Sequence, residues 1–248
     1  MSDLALYAVE ARVEETHWWF VGRRRLFARE LAAISPSLNP RVLDIGTGAG
    51  SNLRMLRDLG YRNVVGLDAS DSAIDFCAIK GFDTVHKGDI CNMPFGDGSM
   101  DLILATDVIE HVDADARAVR EIERVLAPGG TALLTVPAFQ CLWGLQDEKA
   151  FHKRRYRLRE FERLLRASGL GLVKRYYFNY LLFGPLWLAR KLFRIFNVSP
   201  ASEGEINTRF LNALFGGIFA VDTATAGLIK PPFGVSILAV VAKRPAGN

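Results

Sequence analysis

The chain has 248 residues, 31 Lys+Arg against 27 Asp+Glu, and a net charge of +4. Half of its residues are hydrophobic and 23% are charged, which excludes a disordered or fibrous polypeptide and suits one large domain, or one domain with a sizeable insertion. Cys77, Cys91 and Cys141 form no CxxC pair, which argues against a disulfide framework or zinc site and for a reducing, cytoplasmic setting.

The opening stretch carries acids early and lacks a basic-then-apolar leader. Residues 4–34 read as helical and hold His17-Trp18-Trp19-Phe20 ahead of Arg23-Arg24-Arg25. Residues 1–40 are therefore expected to form a helical segment lying over whatever site the rest of the chain builds. From 41 to 137, short β-rich runs (41–45, 63–68, 83–87, 100–105, 131–136) alternate with helical patterns (50–59, 70–80, 114–126), the pattern of a parallel sheet covered by helices. The third helix meets Ala127-Pro128-Gly129-Gly130, a strong stop. A basic helix is expected at 158–168, and two more strands at 172–178 and 235–242.

Residues 41–179 and 233–248 thus make one sheet domain, interrupted by an apolar, helix-like insertion at 180–232. A hairpin loop is normally 2–5 residues, so the insertion is read as a cap. Residues 210–229 are long enough to cross a bilayer, but Asn212, Asp222 and the glycines argue against a span, since a charge at mid-membrane is costly. Peripheral contact with the inner face of a membrane stays open.

The densest chemical signal is Val42-Leu-Asp44-Ile-Gly46-Thr47-Gly48-Ala-Gly50-Ser51. A strand ends, three glycines follow at alternate positions, and a helix begins. A tight strand-to-helix turn would account for the glycines alone. The dinucleotide fingerprint GxGxxG fits badly, because Ser51 stands where its third glycine belongs. Asp44 would repel a pyrophosphate but suits a positively charged ligand, so a nicotinamide-dependent oxidoreductase is disfavoured. Asp68 ends the second run, where an acid can accept hydrogen bonds from ribose hydroxyls. Gly88-Asp89-Ile90 offers a carboxylate for an exocyclic amine and an apolar face for a purine. Each acid alone could be a helix cap; together they point to a ribose-and-adenine site with a cationic tail.

VLDIGTGAG, VVGLDAS, GDICNMPFGDGSMDLILATDVIEHV and REIERVLAPGGTALLTVP resemble, in order and spacing, the motif series of class I S-adenosylmethionine-dependent methyltransferases. The HWWF helix and His152-Lys-Arg-Arg-Tyr156 resemble bacterial members of glycan, lipid or secondary-metabolite pathways. The resemblance implies an α/β fold: a doubly wound, mostly parallel, seven-stranded Rossmann-like sheet with its last strand antiparallel, plus the helical cap. It implies S-adenosyl-L-methionine as cofactor. Asp44, Gly46, Thr47 and Gly48 would hold its methionine end, Asp68 and Ala69 its ribose and adenine edge, and Asp89 and Ile90 the adenine. Thr106 and Asp107 would border the sulfonium.

Activated methyl donors ask mainly for positioning; a base is needed only where the acceptor must lose a proton. His111 is the candidate base, with packing or loop orientation as the equal alternative. His86, His111 and His152 read as isolated, so no metal site is expected. Residues 151–175 carry nine bases against two acids, either an ion-paired surface or an anchor for an anionic acceptor or head group. With Trp18, Trp19, Arg23, His152, Arg155 and Tyr156 as expected acceptor contacts, the reading is a methyltransferase acting on a small amphiphilic molecule. The runner-up is a cofactor-binding protein without turnover. No nucleic-acid module is visible, so nucleic acid is not expected as a partner.

Overall fold

The computed structural model describes residues 11–34, 39–195 and 209–245. The first ten residues, and 196–208 of the insertion, lie outside the described part. After a helical stretch over 11–16, the elements in order are α1 (Trp18–Ile34), β1 (Arg41–Ile45), α2 (Ser51–Asp58), β2 (Asn63–Asp68), α3 (Asp71–Ile79), β3 (Val85–Lys87) and β4 (Met100–Thr106). There follow α4 (Asp115–Val125), β5 (Leu126–Pro137), α5 (Leu145–Lys149), α6 (Leu158–Ala167), β6 (Gly171–Phe178), α7 (Phe183–Ile195), α8 (Arg209–Ile229) and β7 (Ser236–Ala242).

The sheet order is β3-β2-β1-β4-β5-β7-β6. β7 runs antiparallel to both β5 and β6, and the remaining pairs are parallel. This is the doubly wound sheet expected, antiparallel last strand included. The chain crosses sides between β3 and β4, so the carboxyl ends of β1 and β4 flank a crevice, the usual ligand position in such sheets. β1 is buried from Val42 to Ile45, as a strand covered on both faces must be. α4 buries Ala118, Val119, Ile122 and Val125, one apolar stripe at helical spacing.

The Ala-Pro-Gly-Gly stop does end α4, but not as a free turn. Pairing jumps from Met100–Leu126 to Leu102–Thr131, so residues 127–130 bulge within a longer β5. Gly129 takes a φ of +80° there, the left-handed region that glycine enters without a side-chain clash.

Within the insertion, α7 and α8 are helical. Phe219 of α8 packs on Trp18 and Trp19 of α1, at ring-centroid distances of 5.4 and 5.1 Å, and Trp19 stacks on Phe178 of β6. Asp222 is fully buried and accepts hydrogen bonds from the backbone N–H groups of Asn179 (2.6 Å) and Leu181 (2.8 Å). Asn212 accepts from the Trp18 N–H at 2.7 Å. The two polar residues that argued against a membrane span therefore tie α8 to the sheet and to α1. α8 is nonetheless long and apolar enough, by length and composition, to cross a membrane.

Candidate functional site

The site is built at the carboxyl ends of β1, β2 and β4. Gly46 has a φ of +71°, and a Cβ there would lie 2.3 Å from Val108 Cγ2; only glycine permits this close approach of the two loops. Its N–H donates to the Leu67 carbonyl at 2.8 Å, pinning the turn to β2. Gly48 has a φ of +52°, and a Cβ there would meet nothing within 4 Å. The loop thus leaves open space beside its middle glycine.

Asp44 is fully buried. Its Oδ1 accepts from Asn52 Nδ2 at 2.9 Å, and the same amide donates to Thr106 Oγ1 at 3.0 Å. Asp44 Oδ2 has no hydrogen-bond partner. Burial pushes this carboxyl up to about 7, against the pull of the Asn52 bond. Asn52 went unnoticed in the sequence; its place one residue into α2 was the available signal. Thr47, also buried, donates its hydroxyl to the Asp44 carbonyl at 3.2 Å.

Asp68 joins two loops. Its Oδ2 accepts from the Gly48 N–H (2.8 Å) and its Oδ1 from the Ser70 N–H (2.9 Å), with exposed Ala69 between. Asp89 accepts from the Cys91 N–H at 2.8 Å, and Ile90 beside it is buried. Asp107, at the end of β4, has a φ of +55°. Its Oδ1 accepts from Thr135 Oγ1 at 3.1 Å, and its Oδ2 meets Arg23 Nη2 at 2.6 Å. Arg23 lies over the rings of Trp19 and Phe27, so α1 is tied to the rim of the crevice.

His111 and His152 do not stand apart, contrary to the sequence reading. Their rings meet edge to face with centroids 4.7 Å apart. The Lys153 N–H donates to the Glu110 carbonyl at 2.8 Å, which draws residues 152–153 against the turn after β4. Burial, then the neighbouring His152, holds the His111 imidazole below its ordinary range. His152 Nδ1 lies 2.9 Å from Asp147 Oδ1. Burial acts to raise the Asp147 carboxyl, but His152 and Arg155 outweigh it and hold it down at about 2.

The acceptor contacts expected at 155 and 156 need correction. Arg155 is buried, with Nε and Nη2 on the two Asp147 oxygens at 2.8 and 3.0 Å. Tyr156 is buried and donates its hydroxyl to Asp115 at 2.9 Å. Both polar ends are consumed within the chain, because the run carries its partners elsewhere in the fold. Arg154 likewise pairs with Asp115, Arg166 and Arg175 with Glu162, and Lys174 with Glu30. Of the two readings of this basic run, the ion-paired one describes these residues. Trp18 and Trp19 are committed to the α1–α8–β6 junction described above. A groove of about 570 Å3 lies between α1 and α2, near Arg24, Arg54 and Lys80, and none of the expected cofactor residues lines it.

Residues 43–134 match the family model described as a methyltransferase domain. A Mycolicibacterium smegmatis protein named "Probable S-adenosylmethionine-dependent methyltransferase" is 30% identical over 159 residues, covering 62% of this chain and 60% of its own. Sterol 24-C-methyltransferase of Schizosaccharomyces pombe is 37% identical over 97 residues, 36% of this chain and 26% of its own. The chain thus spans less than two thirds of either relative. Among solved structures, a chain of the complex between the Haloferax volcanii Trm112 methyltransferase activator and a methyltransferase superposes with a TM-score of 0.61 at 20% identity, covering 98% of this chain and 96% of that one. At that identity the likeness is one of fold.

Proposed function

We propose that this chain, whose residues 43–134 match the model described as a methyltransferase domain, transfers a methyl group from S-adenosylmethionine to a small amphiphilic acceptor that it meets at a lipid surface. When bound, S-adenosylmethionine supplies a methyl group already activated on a sulfonium. The residues present fit it: Gly48 leaves open space beside the loop, and the buried Asp44 Oδ2 has no hydrogen-bond partner within the chain. That orphaned oxygen is the observation that carries the cofactor half of the reading, since a buried acceptor without a partner is costly. An ammonium group would satisfy it and hold the carboxylate ionised.

The chain's own contribution is positioning. Asp68 fixes the first two loops to one another, and Asn52 couples β1 to β4 through Asp44 and Thr106. Arg23 holds α1 against Asp107 at the rim of the crevice. Placement of this kind supplies much of the rate enhancement when the donor is already reactive.

The acceptor half rests on the cap. α7 leaves Trp187, Leu188 and Leu192 exposed, and α8 leaves Phe210, Leu214 and Leu228 exposed. Lys191 lies over Trp187, and Arg209 and Lys230 stand at the two ends of α8. An apolar face with a basic border suits an anionic bilayer, and the relative named for a sterol acceptor agrees with a lipid-like substrate. The test has two arms. Vesicles containing phosphatidylglycerol should sediment the protein, whereas phosphatidylcholine vesicles should do so more weakly. Radiolabelled S-adenosylmethionine incubated with fractionated bacterial extract should place label in the lipid-soluble fraction. Label in RNA, or in no fraction, would overturn the reading.

A further inference from the structure

We propose that Glu110, His111 and His152 bind one divalent first-row transition-metal ion at the edge of the crevice, which revises the expectation that the chain holds no metal site. One ligand atom from each of the three residues lies within 4.8 Å of the others. Glu110 is fully buried, and neither of its carboxylate oxygens has a hydrogen-bond partner. Its Oε1 is 3.9 Å from His152 Nε2, too far for a hydrogen bond. Two ligands on one ion sit roughly 3 to 3.6 Å apart, given bonds of about 2.0–2.2 Å, so a small inward movement would close the site.

The surroundings of His152 support the assignment. Its Nδ1 faces Asp147 Oδ1 at 2.9 Å. Asp147 is itself gripped by Arg155 and accepts from the Gly144 N–H at 2.9 Å. With Nδ1 on Asp147, the opposite ring nitrogen, Nε2, is the one that lies on the Glu110 side, and a carboxylate behind the imidazole is the arrangement seen around metal-ligating histidines. The backbone bond from Lys153 to Glu110 keeps the two ligand-bearing segments together without the ion.

Two imidazoles and one carboxylate suit zinc, cobalt, manganese or iron in the divalent state better than magnesium or calcium, which prefer all-oxygen sites. Three protein ligands leave positions open. With Asp107 only three residues before Glu110, those positions lie beside the crevice. This further consequence rests on the methyl-transfer reading: the ion would take an oxygen of the acceptor, which points to an acceptor bearing a hydroxyl or carboxylate. His111 would then act as a ligand rather than as a free base.

Tag-free protein, stripped with a chelator, is titrated with Co2+ and followed by calorimetry and visible absorption; S-adenosylhomocysteine binding is measured on the same samples. One Co2+ per chain is expected, with a ligand-field band, and Glu110→Gln and His152→Ala should each weaken binding at least tenfold. Glu110→Gln removes an unpaired buried acid, so it should fold and bind S-adenosylhomocysteine within about threefold of wild type. No stoichiometric Co2+ uptake by the wild type overturns the site, as does wild-type uptake by both variants. Co2+ binding without S-adenosylhomocysteine binding would support the ion site and overturn the cofactor reading instead.

Discussion

Arg23 Nη2 and Asp107 Oδ2 lie 2.6 Å apart, with the two side chains 13% and 25% exposed, and this pair connects α1 to the loop that ends β4. Asp107 sits in the left-handed region, which a non-glycine residue holds only when its surroundings fix it. Thr135 supplies one restraint and Arg23 the other. Arg23→Ala would leave Asp107 half restrained and would free α1 from the rim. A stability loss of about 1–3 kcal/mol is expected for a charged, partly buried hydrogen bond. Urea unfolding measures it, and limited proteolysis should cut within residues 11–34 faster than in wild type. Unchanged behaviour in both would show that α1 is held by its apolar contacts alone.

Asp68 carries a second prediction. Its two oxygens already accept the Gly48 and Ser70 N–H groups, so Asp68→Ala removes loop support as well as any contact to ribose. Affinity for S-adenosylhomocysteine should fall by about 2–4 kcal/mol, the scale of two charge-assisted hydrogen bonds. The 2′-deoxy analogue separates the two roles. If Asp68 holds the ribose, wild type should lose affinity for the analogue while Asp68→Ala discriminates little between the two. Equal discrimination by both proteins would confine Asp68 to loop support.

The sequence made the sheet and the glycine turn legible because both are local. Alternating apolar runs, a Pro-Gly-Gly stop and three spaced glycines each constrain their own backbone. What it hid were meetings across distance. His111 and His152 are separated by the whole of α4, β5 and α5, and they touch because the chain returns along β5 and bonds Lys153 to Glu110. No periodicity encodes that. The basic run failed similarly: Arg155 looked available for an anion until the fold placed Asp147 against it. Charge counts report composition, whereas availability depends on partners that are remote in sequence.

Asp44 makes the ligand-free protein sensitive to pH. Burial, the chief cause, pushes this carboxyl up to about 7 in the fold, against 3.8 ordinarily. The folded state therefore holds its proton over a range in which the unfolded chain has lost it. This contribution is present at pH 4 and is lost as pH rises through 7, amounting to a few kcal/mol. Asp44→Asn should remove that part of the slope and stabilise the chain at pH 8 relative to wild type. Urea unfolding at pH 5 and pH 8 decides it. If Asp44 meets the ammonium of the cofactor as proposed, binding of S-adenosylhomocysteine should run the other way in the wild type, weakening below pH 7 as that carboxylate becomes protonated.

Two helical glycines should respond to alanine with opposite signs. A Cβ on Gly22 of α1 would lie 2.2 Å from Phe219 Cδ1, and Phe219 is fully buried among Trp18, Trp19 and Phe178. That ring cannot swing aside without disturbing the α1–α8 contact, so overpacking of about 1–3 kcal/mol outweighs the helix propensity that alanine brings. Gly217 of α8 has nothing within 4 Å of its would-be Cβ, and only the propensity gain of roughly 0.5–1 kcal/mol remains. Gly22→Ala should lower Tm and Gly217→Ala should raise it. A rise for Gly22→Ala would mean that α1 and α8 do not pack as described.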